Sequence, residues 1–536
     1  MKSFLIGSLV AVSFSAYAEV ISLQSDQGRS SVYHQEQKSS LQIIHDIEFD
    51  IKRIKTETLN SHPEFVNLSE DGIAFSKTIG VPVLPYKSLV VIGKPQDIEV
   101  TIEERDAINV SLIPAPGQEE DCRCADQEKK WIPLRKNSSK LFEIDYLGKY
   151  RGQELSRVIL YGAKVDLERK QTTFYPRLKA QVIAEGSTSE LHSLNDTGSY
   201  DYLIVSPRAL VDGLSQFVTY KTQKGLKVKT VILEDVGRSL EAITSFFKSE
   251  YRQNNYRYAL IVGNDDLFPN HKVRTSGSSQ TPSDYPYFLM DQNDMIPDVH
   301  YGRIVASTVS EVSRQTAKWI DYEEHSSEAS QYLHMIGIAS NEGSNPSDDE
   351  YVKGMERDLK NAYGTVASHF YQNDATSKPS FINQAFNKGA SFLVYLGHGS
   401  GTSWASTGTY YTTSNIKEMN NASVLKPVVI DVACQNGILK KGYLGETFMN
   451  ATNSQGNAIG AAMYYGGSVN ISWHPPAIMA RGLVKRTIAN SIEIVGDAIL
   501  AGHLYLMENH TELEEVRDNF EWYHLFGEPS APIYFK

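Results

Sequence analysis

The chain has 536 residues, more than one ordinary domain holds, with 41% hydrophobic and 22% charged residues, so two or three globular domains with separate cores are expected. Its 64 acidic against 52 basic side chains leave a formal net charge of −12. With no basic tract, that charge excludes electrostatic binding to nucleic acid or to an anionic membrane surface.

The first eighteen residues, MKSFLIGSLVAVSFSAYA, place Lys2 before an apolar run and end in Ala-Tyr-Ala. That is the pattern of a secretory signal cut after Ala18. The run is far shorter than the ~20 residues a bilayer span needs, and no later segment is longer, so the expected product is exported, secreted or periplasmic, with no membrane span. From Glu19 to about Thr197 the segments GVPVLPYKSLVVIG, DIEVTIEE, SRVILYGAKVDLE and RLKAQVIAE alternate or run apolar between Gly and Pro turns, which predicts a β-rich domain over 19–197. The polar stretch Glu185 to Ser199 reads as the linker that closes it.

Beyond the linker the pattern changes. YDYLIVSP, KVKTVILE, YALIVGND, HMIGIASNE, SFLVYLGHG, VVIDVACQNG and GNAIGAAMYYGG are apolar strands, and amphipathic helices lie between several of them. Such strands, buried on both faces, predict an α/β domain over 198–536 with a mostly parallel sheet covered by helices on both sides. Ligands of such sheets bind past the carboxyl ends of the strands. His398, Cys434 and Glu342 each follow such an end.

The three cysteines are Cys122, Cys124 and Cys434. In an oxidising compartment cysteines are normally bridged, and an unpaired one points to intermolecular bonding or a reactive thiol. Cys122 and Cys124 lie in the polar stretch EEDCRCADQ and read as a loop ornament, as a local disulfide, a metal-binding pair or two thiols, without catalytic consequence. Cys434 has the better chemistry. A thiol attacks as thiolate, and a neighbouring imidazole takes its proton, so Cys434 and His398 form a candidate nucleophile and base. Glu342 is placed to orient the imidazole. Gly397 and Gly399 flank the histidine and admit a substrate backbone. The N–H groups of Gly399 and Cys434 are candidates for an oxyanion hole. Asp291, Asp294 and Asp298 cluster in DQNDMIPDVHYGRI, and carboxylate oxygens on one turn suit calcium.

LVYLGHGSGTSWA followed by VVIDVACQNG resembles the histidine and cysteine motifs of the gingipain family of cysteine peptidases. The likeness extends from YDYLIVSP through IPDVHYGRI, IGIASNEG and GGSVNISW to the terminal WYHLFGEPSAPIY. The resemblance implies a caspase-like α/β/α sandwich preceded by a β-rich prodomain. It implies a cysteine endopeptidase acting on protein or peptide substrates through a dyad of Cys434 and His398, with Glu342 assisting and Trp473 lining the substrate pocket. No cofactor is implied for catalysis, and calcium at Asp294 and Asp298 would be structural. Residues 19–197 resemble a propeptide that inhibits the same chain, though a permanent binding module fits the bare sequence equally. The carboxylate with which arginine-specific members bind a guanidinium aligns here near Val352. Of the nearby acids Asp348, Asp349 and Glu350, Asp349 is taken as the candidate substitute. The sequence stops at Lys536 without the modules that follow in the well-known gingipains, which suggests a different export route. Two rival readings keep the same residues: a transpeptidase or ligase on the same dyad, and a non-catalytic caspase-like binding module.

Overall fold

The computed structural model describes residues 18–39, 42–123, 130–193, 198–275, 279–291, 294–324 and 329–535. Most of the expected signal segment and Cys124 lie outside these residues. The N-terminal region is built of antiparallel strands in small sheets, the central one ordered 142–150, 153–161, 85–92 and 186–187. Inward residues such as Phe49, Val91, Val158, Leu160 and Phe174 share one core, as alternation of apolar and polar positions requires when one face of a sheet is wet. Within the expected linker, Gly186–Ser187 pairs with Val91 and Ile92, and Thr188–Ser193 forms a 3-10 turn. Ladder hydrogen bonds there outweigh a turn-like composition.

The rest of the chain holds two sheets. One is wholly parallel, ordered Val228–Ile232, Tyr202–Ser206, Tyr258–Val262, His300–Ile304. The other is ordered Val366–Tyr371, His334–Ala339, Phe392–Leu396, Val428–Val432, Met463–Gly467, Tyr523–Phe526, and only its last strand runs antiparallel. Every residue of Phe392–Leu396 and Val428–Val432 is buried, which accounts for their apolar sequences, Asp431 excepted. The helix Asp348–Tyr363 begins at a capping box of Ser347 and Glu350 and ends at Gly364 in the left-handed region, each terminus satisfied as its residues dictate.

The two regions are closely joined. Val90, Ile92, Leu147, Tyr150 and Leu155 of the N-terminal region share the core of the C-terminal one. Arg157, buried, donates to the carbonyls of Met507, His510 and Thr511 at the C-terminal end of the helix Val495–Asn509, where a cation is favoured.

Candidate active site

Strand register assembles the site. Leu396 pairs with Val432 on one side and with Ala339 on the other, so three neighbouring strands end level. His398 and Cys434 each stand two residues beyond that line and Glu342 three, so three distant segments meet at one sheet edge. The histidine and cysteine loops touch: a Cβ at Gly399 would overlap the Cys434 carbonyl oxygen and lie 2.9 Å from its N. Only a residue without a side chain lets the two backbones approach this closely.

Glu342 Oε2 accepts from His398 Nε2 at 2.9 Å. The same loop is braced by Tyr395, whose hydroxyl donates to the His398 carbonyl at 2.7 Å, and by Ser406, whose Oγ accepts from the His398 N–H at 2.9 Å. Cys434 is a free thiol with no exposed surface, and burial pushes it up to about 11, against smaller lowering contributions from the Ile471 backbone and Arg123. Below it, buried Asp431 accepts from Trp404 Nε1, Asn436 Nδ2 and the Tyr464 hydroxyl. The Asn436 Oδ1 in turn holds the Gly401 N–H at 3.0 Å, tying the cysteine loop to the histidine loop. Neither the Gly399 nor the Cys434 N–H is spent on a backbone hydrogen bond among the described residues.

The cleft is occupied by the chain's own N-terminal region. Cys122 bridges Ser472 in antiparallel fashion, and the Arg123 N–H donates to the Ile471 carbonyl at 3.0 Å. The Arg123 carbonyl accepts from His398 Nδ1. Arg123 itself is wholly buried, its guanidinium forked onto Asp348 with both bonds at 2.8 Å. Its Nε and Nη2 also donate to the Trp473 carbonyl, at 3.0 and 2.6 Å, and its charge lies 4.7 Å from the Trp473 ring centre. Among the described residues no hydrogen bond runs between thiol and imidazole, and the Arg123 carbonyl takes up the imidazole Nδ1. The Cys-Arg-Cys stretch is therefore not an ornament: Cys122 is disulfide-bonded and presents Arg123 to the pocket.

One placement differs from expectation. The carboxylate that meets the Arg123 guanidinium is Asp348 and not Asp349. At the start of its helix Asp348 is fully buried and takes a further bond from Ser340 Oγ at 2.7 Å, whereas Asp349 turns to Lys353 Nζ at 2.6 Å, one helical turn on. Consecutive helical residues point about 100° apart, so only one of the two faces the pocket. The three aspartates of the expected cluster lie together. Asp291, Asp294 and Asp298 bring ligand oxygens within 4.8 Å of one another, and Asp294 and Asp298 are only 5% and 2% exposed. Burial, then the Asp298 charge, pushes Asp294 up to about 7, and burial pushes Asp298 up to about 6. The Oδ2 atoms of both have no hydrogen-bond partner among the described residues. Trp473 lies under the Arg123 guanidinium and meets the His398 ring edge-on, with centroids 5.5 Å apart.

A family model described as Peptidase family C25 matches residues 195–534. The chain belongs to this family. Gingipain R2 of Porphyromonas gingivalis strain W83 is 28% identical over 349 residues, covering 62% of this C25 chain and 45% of that protein. Lys-gingipain W83 of P. gingivalis is 25% identical over 231 residues, covering 41% of this chain and 13% of that one. The chain thus spans less than half the length of these curated relatives. Among solved structures, the Arg-specific cysteine proteinase gingipain R superposes with a TM-score of 0.57 at 24% identity, covering 63% of this chain and 79% of that one. The complex of P. gingivalis RgpB pro- and mature domains gives 0.56 at 25% identity, covering 62% and 79%. The C25 fold is therefore the mostly parallel α/β architecture of these structures, preceded here by a β-rich region.

Among the described residues no helix is long and apolar enough to cross a membrane. Sequence reasoning missed Arg123 altogether. Its one signal was an arginine between two cysteines, and only the fold brings residue 123 beside residue 348.

Proposed function

We propose that this chain is an exported cysteine endopeptidase, made as a proenzyme, that cleaves after arginine. The observation that carries the reading is the buried fork of Arg123 on Asp348, with the Arg123 carbonyl on His398. A substrate arginine occupies the same place once the N-terminal domain leaves. Its guanidinium meets a fixed carboxylate in a dry pocket, the geometry that separates Arg from Lys, and its carbonyl carbon is presented to the neighbouring thiol. His398 takes the Cys434 proton, the thiolate attacks, and the N–H groups of Gly399 and Cys434 hold the oxyanion. His398 then protonates the leaving amine and activates the water that clears the thioester. Glu342 holds the imidazole in orientation. While Arg123 is docked, the pocket is filled and the base is engaged, which supports a prodomain that inhibits by imitating substrate.

The orphaned Oδ2 atoms of Asp294 and Asp298, with Asp291 beside them, fit a calcium ion. These carboxylates would hold it, and its part there is to cancel buried negative charge.

The test is a panel of fluorogenic peptides differing in the residue before the scissile bond, assayed with the processed enzyme, Cys434→Ala and Asp348→Asn. Hydrolysis confined to arginyl peptides is expected. It should vanish with Cys434→Ala and drop by about two to three orders of magnitude in kcat/KM with Asp348→Asn, as for a buried ion pair losing one partner. Turnover surviving Cys434→Ala, or equal cleavage after uncharged residues, refutes the proposal.

A further inference from the structure

The N-terminal domain grips the catalytic domain at a second place, far along the chain from Arg123. The strands 142–150 and 153–161 form a hairpin whose turn lies on the aspartate cluster. The Lys149 N–H donates to Asp294 Oδ1 at 3.2 Å and the Arg151 N–H to Asp298 Oδ1 at 2.6 Å. The Met295 N–H donates back to the Leu147 carbonyl at 3.2 Å. Gly148 is pressed against Asp294 so tightly that a Cβ would overlap Oδ1. The Arg151 guanidinium goes to backbone carbonyls: Asn255 at 2.9 Å, Tyr256 at 3.2 Å and Asp298 at 3.4 Å.

The oxygens are thus divided. Each buried carboxylate turns Oδ1 to a prodomain amide and keeps Oδ2, without a partner among the described residues, for the cluster it forms with Asp291. Neutral N–H groups satisfy lone pairs but do not cancel charge, so a turn seated on this cluster buries carboxylates that no direct ion pair among the described residues offsets, which is costly. A divalent cation on the Oδ2 side removes that cost, and it displaces no prodomain bond because it uses other oxygens.

We propose that the cation at Asp291, Asp294 and Asp298 and the hairpin turn of residues 147–151 are thermodynamically linked, each tightening the other's hold, so that calcium reinforces latency. The proposal rests on the calcium reading above. By reciprocity the docked turn strengthens cation binding by the same factor as the cation strengthens docking, and couplings of this kind run about 5- to 150-fold.

The experiment uses the full chain carrying Cys434→Ala, so that the domains stay covalently joined. Calorimetric titration of chelator-treated protein with calcium chloride measures binding, and hydrogen exchange of residues 146–152 with and without calcium measures docking. We expect binding together with about tenfold slower exchange at the Lys149 and Arg151 amides. Arg151→Ala, added to the same chain, loosens the turn while leaving every carboxylate oxygen in place, and should weaken calcium binding by a similar factor. Deleting a cation beside the site would by itself tighten calcium binding, so a weakening reports the linkage and not the lost charge. Binding without a change in exchange, or an Arg151→Ala chain that binds calcium equally or more tightly, overturns the linkage and leaves the cation site standing. If no calcium binds, the cation reading fails and the linkage with it.

Discussion

Replacing Arg123 by alanine in the unprocessed chain should expose the nucleophile. In the docked state Cys434 has no accessible surface and is the free cysteine of the described residues, so its alkylation requires the loop carrying residues 122 and 123 to lift. Arg123 holds that loop with two bonds to Asp348 and two to the Trp473 carbonyl, over the Trp473 ring. Removing one partner of a buried ion pair costs about 3–5 kcal/mol, which at about 1.4 kcal/mol per factor of ten shifts the docking equilibrium by roughly two to three and a half powers of ten. The assay is the initial rate of iodoacetamide addition to Cys434, scored by mass on intact chains so that processed molecules do not contribute. Arg123→Lys should fall between parent and alanine, because an ammonium keeps the charge and loses the fork. An Arg123→Ala chain alkylated within twofold of the parent rate, and equally resistant to thermal unfolding, would refute the idea that this guanidinium holds the cleft shut.

Other outcomes follow from the same geometry. Glu342→Gln should lower kcat of the processed enzyme no more than about fivefold with KM unchanged, since the pair with His398 is 43% and 33% exposed and such pairs are worth about 0.2–1 kcal/mol. A hundredfold loss would show that Glu342 does more than orient. Gly399→Ala should force the histidine and cysteine loops apart, at a stability cost of about 1–3 kcal/mol and a loss of activity approaching 100-fold; unchanged kinetics would mean that the loops yield freely. The Cys434 thiol is pushed up to about 11 from an ordinary 9.0. The folded chain therefore keeps it neutral where the unfolded chain ionises, so its contribution is complete below about pH 9 and lost as pH rises towards 11. Between the two ends of that window the stability of the parent, measured by denaturant unfolding, should fall by at most about 3 kcal/mol more than that of Cys434→Ala, and equal changes in the two chains would contradict a buried neutral thiol.

What could be read from the chain alone was whatever depends on neighbours in sequence. Largely apolar runs such as FLVYL and VVIDV required strands buried on both faces, and parallel strands place their C-terminal ends together, so the approach of His398, Glu342 and Cys434 to one edge was legible before any coordinates. Closeness in sequence also brought Asp291, Asp294 and Asp298 together on one loop, whereas Trp473 was singled out only by the family resemblance. Tertiary structure decided the rest. Helix phase turned Asp348 to Arg123 and Asp349 to Lys353, a difference invisible in two adjacent identical residues. Burial left the Oδ2 atoms of Asp294 and Asp298 without hydrogen-bond partners among the described residues, which spacing in sequence does not reveal. Docking of one domain on another carried Arg123 into a pocket lined by residues 348 and 473, because buried charge finds its counter-charge through the fold, whatever the distance along the chain.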